Sequence, residues 1–224
     1  VSVPVIGSDG TIYIGADRDL YAINPDGSLK WEIDMAPAIY GGDRLALESD
    51  GTLYVFGVGG IDDAGNILAV NPDGTIEWTY QIEEQYFIAM GHPVIGPNGI
   101  IYLAGNIGYT GYIYAITNDG HLQWKVENPG INNQELATFA IDSDGIIYIQ
   151  EGALNPDGTL NWEYPLGDIV VSSMGSPVIG SDGTIYVGSP TGLYAFEGTS
   201  QGLASSAWPR FQHDNKNTGR IGGQ

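Results

Sequence analysis

Residues 3–33 read VPVIGSDGTIYIGADRDLYAINPDGSLKWEI, four short apolar runs parted by turn signals and closed by a tryptophan. The first two runs, Pro4-Val5-Ile6 and Thr11-Ile12-Tyr13-Ile14, flank Gly7-Ser8-Asp9-Gly10. The last two, Leu20-Tyr21-Ala22-Ile23 and residues 28–33, flank Asn24-Pro25-Asp26-Gly27. Both tetrads suit a hairpin built on a type I turn. Asn favours the first position, Pro presets φ at the second, Asp suits the third, and Gly takes the left-handed fourth. Leu29, Trp31 and Ile33 alternate with Lys30 and Glu32, the period of a strand with one wet face. One unit is therefore expected to be an antiparallel meander of four strands, A to D, with tight A–B and C–D turns.

The rest of the chain repeats this unit. The A–B turn glycine returns as Gly10, Gly51, Gly99, Gly145 and Gly183. The C–D turn returns at Asn71-Pro72-Asp73-Gly74, Asn118-Asp119-Gly120 and Asn155-Pro156-Asp157-Gly158, and its fifth copy is degraded within residues 197–202. Trp31, Trp78, Trp124, Trp162 and Trp208 fall one per unit, at intervals of 47, 46, 38 and 46 residues. Four-stranded repeats of about 40–50 residues are propeller blades. An isolated meander cannot cover both of its faces, and a ring of meanders can. The expected fold is all-β, a five-bladed β-propeller of four-stranded antiparallel blades in one domain, residues 1–224. The blades fall at about 1–42, 43–90, 91–137, 138–175 and 176–210, with a closing tail at 211–224. Each unit is expected to supply its own four strands to a closed ring, as a monomer.

Composition narrows the function. The formal charge is −20, because only seven residues are Lys or Arg. Such a surface repels nucleic acid and anionic membranes, so neither is an expected partner. The chain has no cysteine, which removes disulfides, thiolate metal sites and cysteine nucleophiles. No stretch reaches the ~18 apolar residues of a membrane span, so no membrane insertion is expected. The start at Val1, with no signal peptide in view, reads as a mature or trimmed domain. Asp62-Asp63-Ala64-Gly65-Asn66 comes nearest to a calcium loop, and is read as a solvated turn.

The units differ on one face of the disc. The A–B and C–D turns share one face and are short and regular. The B–C loops and the D-to-A links share the other. From the B-strand Tyr to the C–D Asn the spacings are 11 (Tyr13 to Asn24), 17 (Tyr54 to Asn71), 16 (Tyr102 to Asn118) and 7 (Tyr148 to Asn155). Variable loops on a rigid scaffold are where binding usually sits. At the channel mouth on that face stand Val3, Arg44, His92, Thr138 and Ser176, seven residues before each turn glycine. Two residues deeper stand Val5, Ala46, Val94, Ala140 and Val178, predicting a narrow apolar channel with a polar rim. The candidate binding residues are Arg44, His92, Thr138 and Ser176, ringed by Tyr40, Tyr86 and Phe87. The turn face, made of near-identical hairpins, is expected to offer no pocket.

The phrase SPVIGSDGTIYVG at 176–188, Gly192-Leu193-Tyr194-Ala195, and Asn155-Pro156-Asp157-Gly158-Thr159-Leu160-Asn161-Trp162 resemble the PQQ-like β-propeller repeat. Trp208-Pro209-Arg210-Phe211 and the residues to Arg220 resemble a segment bordering such propellers in exported bacterial and archaeal proteins. The resemblance implies that Trp31, Trp78, Trp124 and Trp162 are buried between adjacent blades; Trp208, followed by Pro209, matches that position less well. It also implies an extracellular, cell-surface or periplasmic location. The family's quinoprotein dehydrogenases have eight blades, a vicinal cysteine pair and a calcium site. Five repeats without cysteine do not fit that pattern, so no cofactor is expected. Propeller glycosidases need carboxylates on inner strands, where this chain has Val or Ala, and Asp43, Glu84, Glu135 and Asp168 read as solvated rim acids. No enzyme is expected. The reading is a non-catalytic binding or scaffold module with a protein or glycan partner. The alternative is a lectin-like module stacking sugars on Tyr40, Tyr86, Phe87, Tyr109 and Tyr112.

Overall fold

Turn aspartates set the hairpins. Asp9, Asp50 and Asp182 accept the backbone N–H of Thr11, Thr52 and Thr184 at 2.9, 2.9 and 3.0 Å in A–B turns. Asp26, Asp73 and Asp157 do the same for Ser28, Thr75 and Thr159 at 2.9, 3.0 and 3.0 Å in C–D turns. Each such Asx bond satisfies a turn donor locally and fixes where the next strand begins. The computed structural model describes residues 2–16, 18–36, 40–59, 64–83, 87–89, 91–108, 110–128, 139–149, 152–163, 176–189, 192–198, 200–210, 213–214 and 218–221.

The first sheet is β1 (Val5–Ile6), β2 (Ile12–Ala16), β3 (Asp19–Ile23) and β4 (Leu29–Asp34). The second is β5 (Tyr40–Leu47), β6 (Leu53–Gly59), β7 (Ala64–Val70) and β8 (Ile76–Gln81). The third runs β10 (Val94–Ile95), β11 (Ile101–Ile107), β12 (Thr110–Ile116) and β13 (Leu122–Asn128), with β9 (Phe87–Ala89) also on β11. The fourth is β14 (Ala140–Ile141), β15 (Ile147–Ile149), β16 (Gly152–Leu154) and β17 (Leu160–Glu163). The fifth has three strands, β18 (Val178–Ile179), β19 (Ile185–Ser189) and β20 (Gly192–Phe196). All five are antiparallel meanders in chain order, so the fold is the five-bladed β-propeller that the repeat predicts.

The register makes one rung of each blade chemically constant. Val5, Tyr13, Ala22 and Trp31 lie side by side across blade 1. Ala46, Tyr54, Ala69 and Trp78 do so in blade 2, and Val94, Tyr102, Ala115 and Trp124 in blade 3. Blade 4 has Ala140, Tyr148, Ala153 and Trp162. The small alanine lets the two rings meet over it, at 5.7, 5.8, 5.7 and 6.2 Å between centroids. Each tryptophan then reaches the next blade. Trp31, Trp78 and Trp124 donate Nε1–H to the carbonyls of Pro72, Asn118 and Pro156, each at 2.9 Å, in the C–D turn of the following blade. Trp162 meets Phe196 of blade 5 at 5.9 Å. The expected docking is present, with one correction: these four rings are half-buried, not buried, because each lies at the outer strand with its edge toward solvent.

Two further expectations fail at the fifth unit. Its rung is Val178, Tyr186 and Ala195, and no fourth strand follows among the described residues. Trp208 is not an outer-strand tryptophan. It is 1% exposed, packed in the core of blades 1–3, and its carbonyl accepts the N–H of Ile95 in β10 at 2.7 Å. Pro209, which cannot donate to a ladder, follows it directly. Gly202 and Pro209 accept from Ser143 and Ile141 of blade 4, and Gly219 accepts from Ile6 of blade 1 at 2.8 Å. The tail therefore stitches the inner strands of blades 4, 3 and 1 together, at their ends nearest the A–B turns.

Candidate functional site

The rim on the variable face is built by irregular starts to the inner strands. In β5, residues 41–43 lie across from Gly57 alone, between the pairs Tyr40–Val58 and Arg44–Phe56. In blade 3, Gly91, His92 and Pro93 precede the pair Val94–Tyr102, while Ala89 pairs with Gly105 on the same strand, leaving only Leu103 and Ala104 between the two pairs. Both insertions have the form of enlarged bulges, which re-aim side chains at a rim. Arg44 and His92 emerge beside them, and Ser176 precedes β18; all three are half-buried. The deeper ring is apolar as expected: Val5, Ala46, Val94 and Ala140 are buried and Val178 half-buried. Thr138, Tyr86 and Tyr109 lie outside the described residues, and Tyr40 is described for its backbone only.

Phe87 is not a wall of this site. It is 1% exposed and sits between blades 2 and 3, with ring centroids 5.9 Å from Phe56 and 5.8 Å from Tyr114. Gly65 and Gly105 make room for it; a Cβ there would stand 2.3 and 1.9 Å from its ring. Strand alternation explains the error: Ile88 faces out of β9 and Phe87 faces in. Tyr112 is also engaged, with Lys125 Nζ 4.0 Å from its ring centroid. Stacking platforms for sugars are thus fewer than the sequence suggests.

The turn face does carry a cavity, contrary to expectation. It has a volume of about 700 Å³ and lies between blades 2 and 3, lined by Glu48, Asp50, Tyr54, Glu77, Asn98 and Ser206 among others. Burial, then the charges of Glu48, Asp50 and Glu77, push the Tyr54 hydroxyl well above its usual titration range. The field in this cavity is thus negative. Tyr102, in the same rung of the next blade, is pushed up to about 12 by burial alone. The blade 2 turn residues were readable in sequence, but the cavity also needs Ser205, Ser206, Ala207 and His213 of the tail as a wall. Nothing in the sequence places that tail beside β6. Among the described residues, no group of three His, Asp or Glu side chains is arranged to hold a metal ion.

The tail also brings polar side chains into the interior. Arg210 is 3% exposed and donates from Nη1 to the Asp214 carbonyl at 3.2 Å. His213 packs edge-on to Trp208 with centroids 5.3 Å apart, its backbone at φ 72°. Burial holds the His213 imidazole below its ordinary range, against the opposing pull of Asp214.

No family model and no curated protein matches this sequence. Solved structures do match it. A luciferin-regenerating enzyme aligns with TM-score 0.58 and 13% identity, over 93% of this chain and 81% of that one. A protein of unknown function from Bacteroides caccae aligns at 0.54 and 14%, over the same 93% and 81%. The WD40 domain of Neurospora crassa Pan2 aligns at 0.52 and 11%, over 81% and 59%. The shared feature is the propeller. Enzymes and non-enzymatic propellers are both among these neighbours, so the fold alone assigns no activity.

Proposed function

We propose that this chain is a non-catalytic binding propeller of the PQQ-like repeat type, carried on an exported or cell-surface protein. Its partner, a protein, binds the face bearing the B–C loops and D-to-A links. The observation that carries this reading is the position of the tail. Gly202, Trp208, Pro209 and Gly219 bond to the inner strands at their turn ends, which fills that end of the channel with the protein's own backbone. The other rim keeps side chains that differ from blade to blade: Arg44, His92 and Ser176. Arg44 is its strongest donor, in a chain with seven cationic side chains and 27 acidic ones, and it suits a carboxylate-bearing surface.

The glycan alternative rests on Tyr40, Tyr86 and Tyr109, since Phe87 is buried and Tyr112 is covered by Lys125. An array printed with both extracellular proteins and glycans tests the two readings together. Arg44→Ala and His92→Ala should weaken capture of the array's protein hits, and Asp157→Ala on the turn face should not. Capture by glycans alone would establish the lectin reading instead. Loss of capture only with Glu77→Gln would place the site in the turn-face cavity and refute the proposal.

A further inference from the structure

The five blades share a register, so equivalent residues should share an environment. In the C strands, Leu20, Ile67 and Ile113 are 0% exposed, while Leu193 at the same position in β20 is 73% exposed. Tyr13, Tyr54, Tyr102 and Tyr148 are buried on their rungs, and Tyr186 is not. Ala22, Ala69, Ala115 and Ala153 are buried, and Ala195 is exposed. The uncovered face of blade 5 is the one that in blades 1–4 carries the outer-strand tryptophan.

A second observation stands at the other side of the ring. The C–D turn glycines of blades 2, 3 and 4 each receive a tryptophan from the blade before, so that a Cβ on Gly74, Gly120 or Gly158 would come within 2.9 Å or less of its ring. A Cβ on Gly27, the same turn in blade 1, would meet nothing within 4 Å. Among the described residues, one rung thus lacks its tryptophan and one turn of matching form receives none.

We propose that β20 and its open face are a docking site for a β-strand of a partner polypeptide, added antiparallel beside β20 and bearing a tryptophan opposite Ala195. The four complete blades define the occupant: an alternating segment such as β8, whose tryptophan covers the tyrosine of its rung and offers an indole N–H to the next C–D turn. Here that acceptor is the Pro25 carbonyl, equivalent to those of Pro72 and Pro156. Strand addition supplies main-chain hydrogen bonds, and the side-chain rung supplies selectivity. The segment Gly192–Phe196 has no charge and no proline, the usual guards of an exposed edge.

The test uses the intact chain and a synthetic peptide copying residues 73–83, which contain β8. Titration followed by amide chemical shifts should give saturable changes at Leu193, Ala195 and Gly27, with a dissociation constant below about 1 mM. The same peptide with Trp78→Ala should bind at least about tenfold more weakly, as loss of an aromatic anchor does. Leu193→Asp in the protein should abolish binding and leave the melting temperature unchanged, since the side chain is exposed. A control at another exposed leucine, Leu160→Asp on the outer strand of blade 4, should leave binding intact. No saturation up to about 1 mM, equal binding of both peptides, or shifts confined to other blades would overturn the proposal. So would light scattering showing that the chain alone forms dimers that shield Leu193, because a second copy would then be the occupant.

Discussion

Replacing Gly120 and Gly27 by alanine separates tryptophan docking from turn conformation. Both glycines sit at position four of a C–D turn, with φ of 85° and 86°. Alanine in that left-handed region costs about 1–2 kcal/mol at either site. The surroundings differ. At Gly27 the new methyl meets nothing within 4 Å, while at Gly120 it would stand 2.8 Å from Trp78 Cδ2. The indole must move, which loosens its 2.9 Å bond to the Asn118 carbonyl and its 5.8 Å contact with Tyr54. The hydrogen bond contributes about 0.5–1.5 kcal/mol and the ring pair about as much. Gly120→Ala should therefore destabilise by about 2–5 kcal/mol and Gly27→Ala by about 1–2 kcal/mol. The difference is about 1–3 kcal/mol, or several degrees of melting temperature at about 2–4 °C per kcal/mol for a chain of this size. Urea and thermal unfolding, followed by circular dichroism and indole fluorescence, measure both. Equal losses within about 0.5 kcal/mol would refute the claim that tryptophan docking couples the blades.

Phe87→Ala should cost about 3–5 kcal/mol in urea unfolding, as for other buried large aromatics, whereas a ligand-wall role would leave stability unchanged. Asp142 is fully buried and accepts from the Asp144 and Ile146 amides and from the Tyr148 hydroxyl, each at 2.9 Å. Asp142→Ala leaves the buried Tyr148 hydroxyl and two part-buried amides unmatched and should cost about 1–3 kcal/mol, read from the same unfolding curves. Hydrogen bonds from the Ser28, Thr75 and Thr159 hydroxyls, then their amides, lower the titration of Asp26, Asp73 and Asp157; the amides act first for Asp9 and Asp182. Their stabilisation is complete above about pH 4 and is lost as pH falls through the depressed native values, so a pH series should show one fall of melting temperature in that acid range. His213 titrates below its ordinary 6.5 when folded. Its contribution is present above that value and lost as pH falls below it, so a decline that begins as pH falls through about 6.5 should vanish in His213→Ala.

The local half of this protein was legible in the order of its residues. Alternation in residues 28–33, the Asp-Gly turns and the evenly spaced tryptophans define hairpins, register and blade number, because each depends on contacts within about 40–50 residues that recur in every unit. Arg44, His92 and Ser176 at the rim were legible for the same reason: counting back from a turn glycine counts along one strand. Tertiary structure decided what lies between units. Phe87 looked like a rim aromatic until the facing Gly65 and Gly105 of two blades showed the slot that takes it. Trp208 kept the repeat's spacing but not its place, because its tail gains more backbone partners on the inner strands of blades 3, 4 and 1 than an outer edge offers. The consequence is a fifth blade that keeps Tyr186 and Ala195 without their tryptophan. Periodicity cannot reveal this, since the same residues are core or surface according to whether a neighbouring strand lies against them.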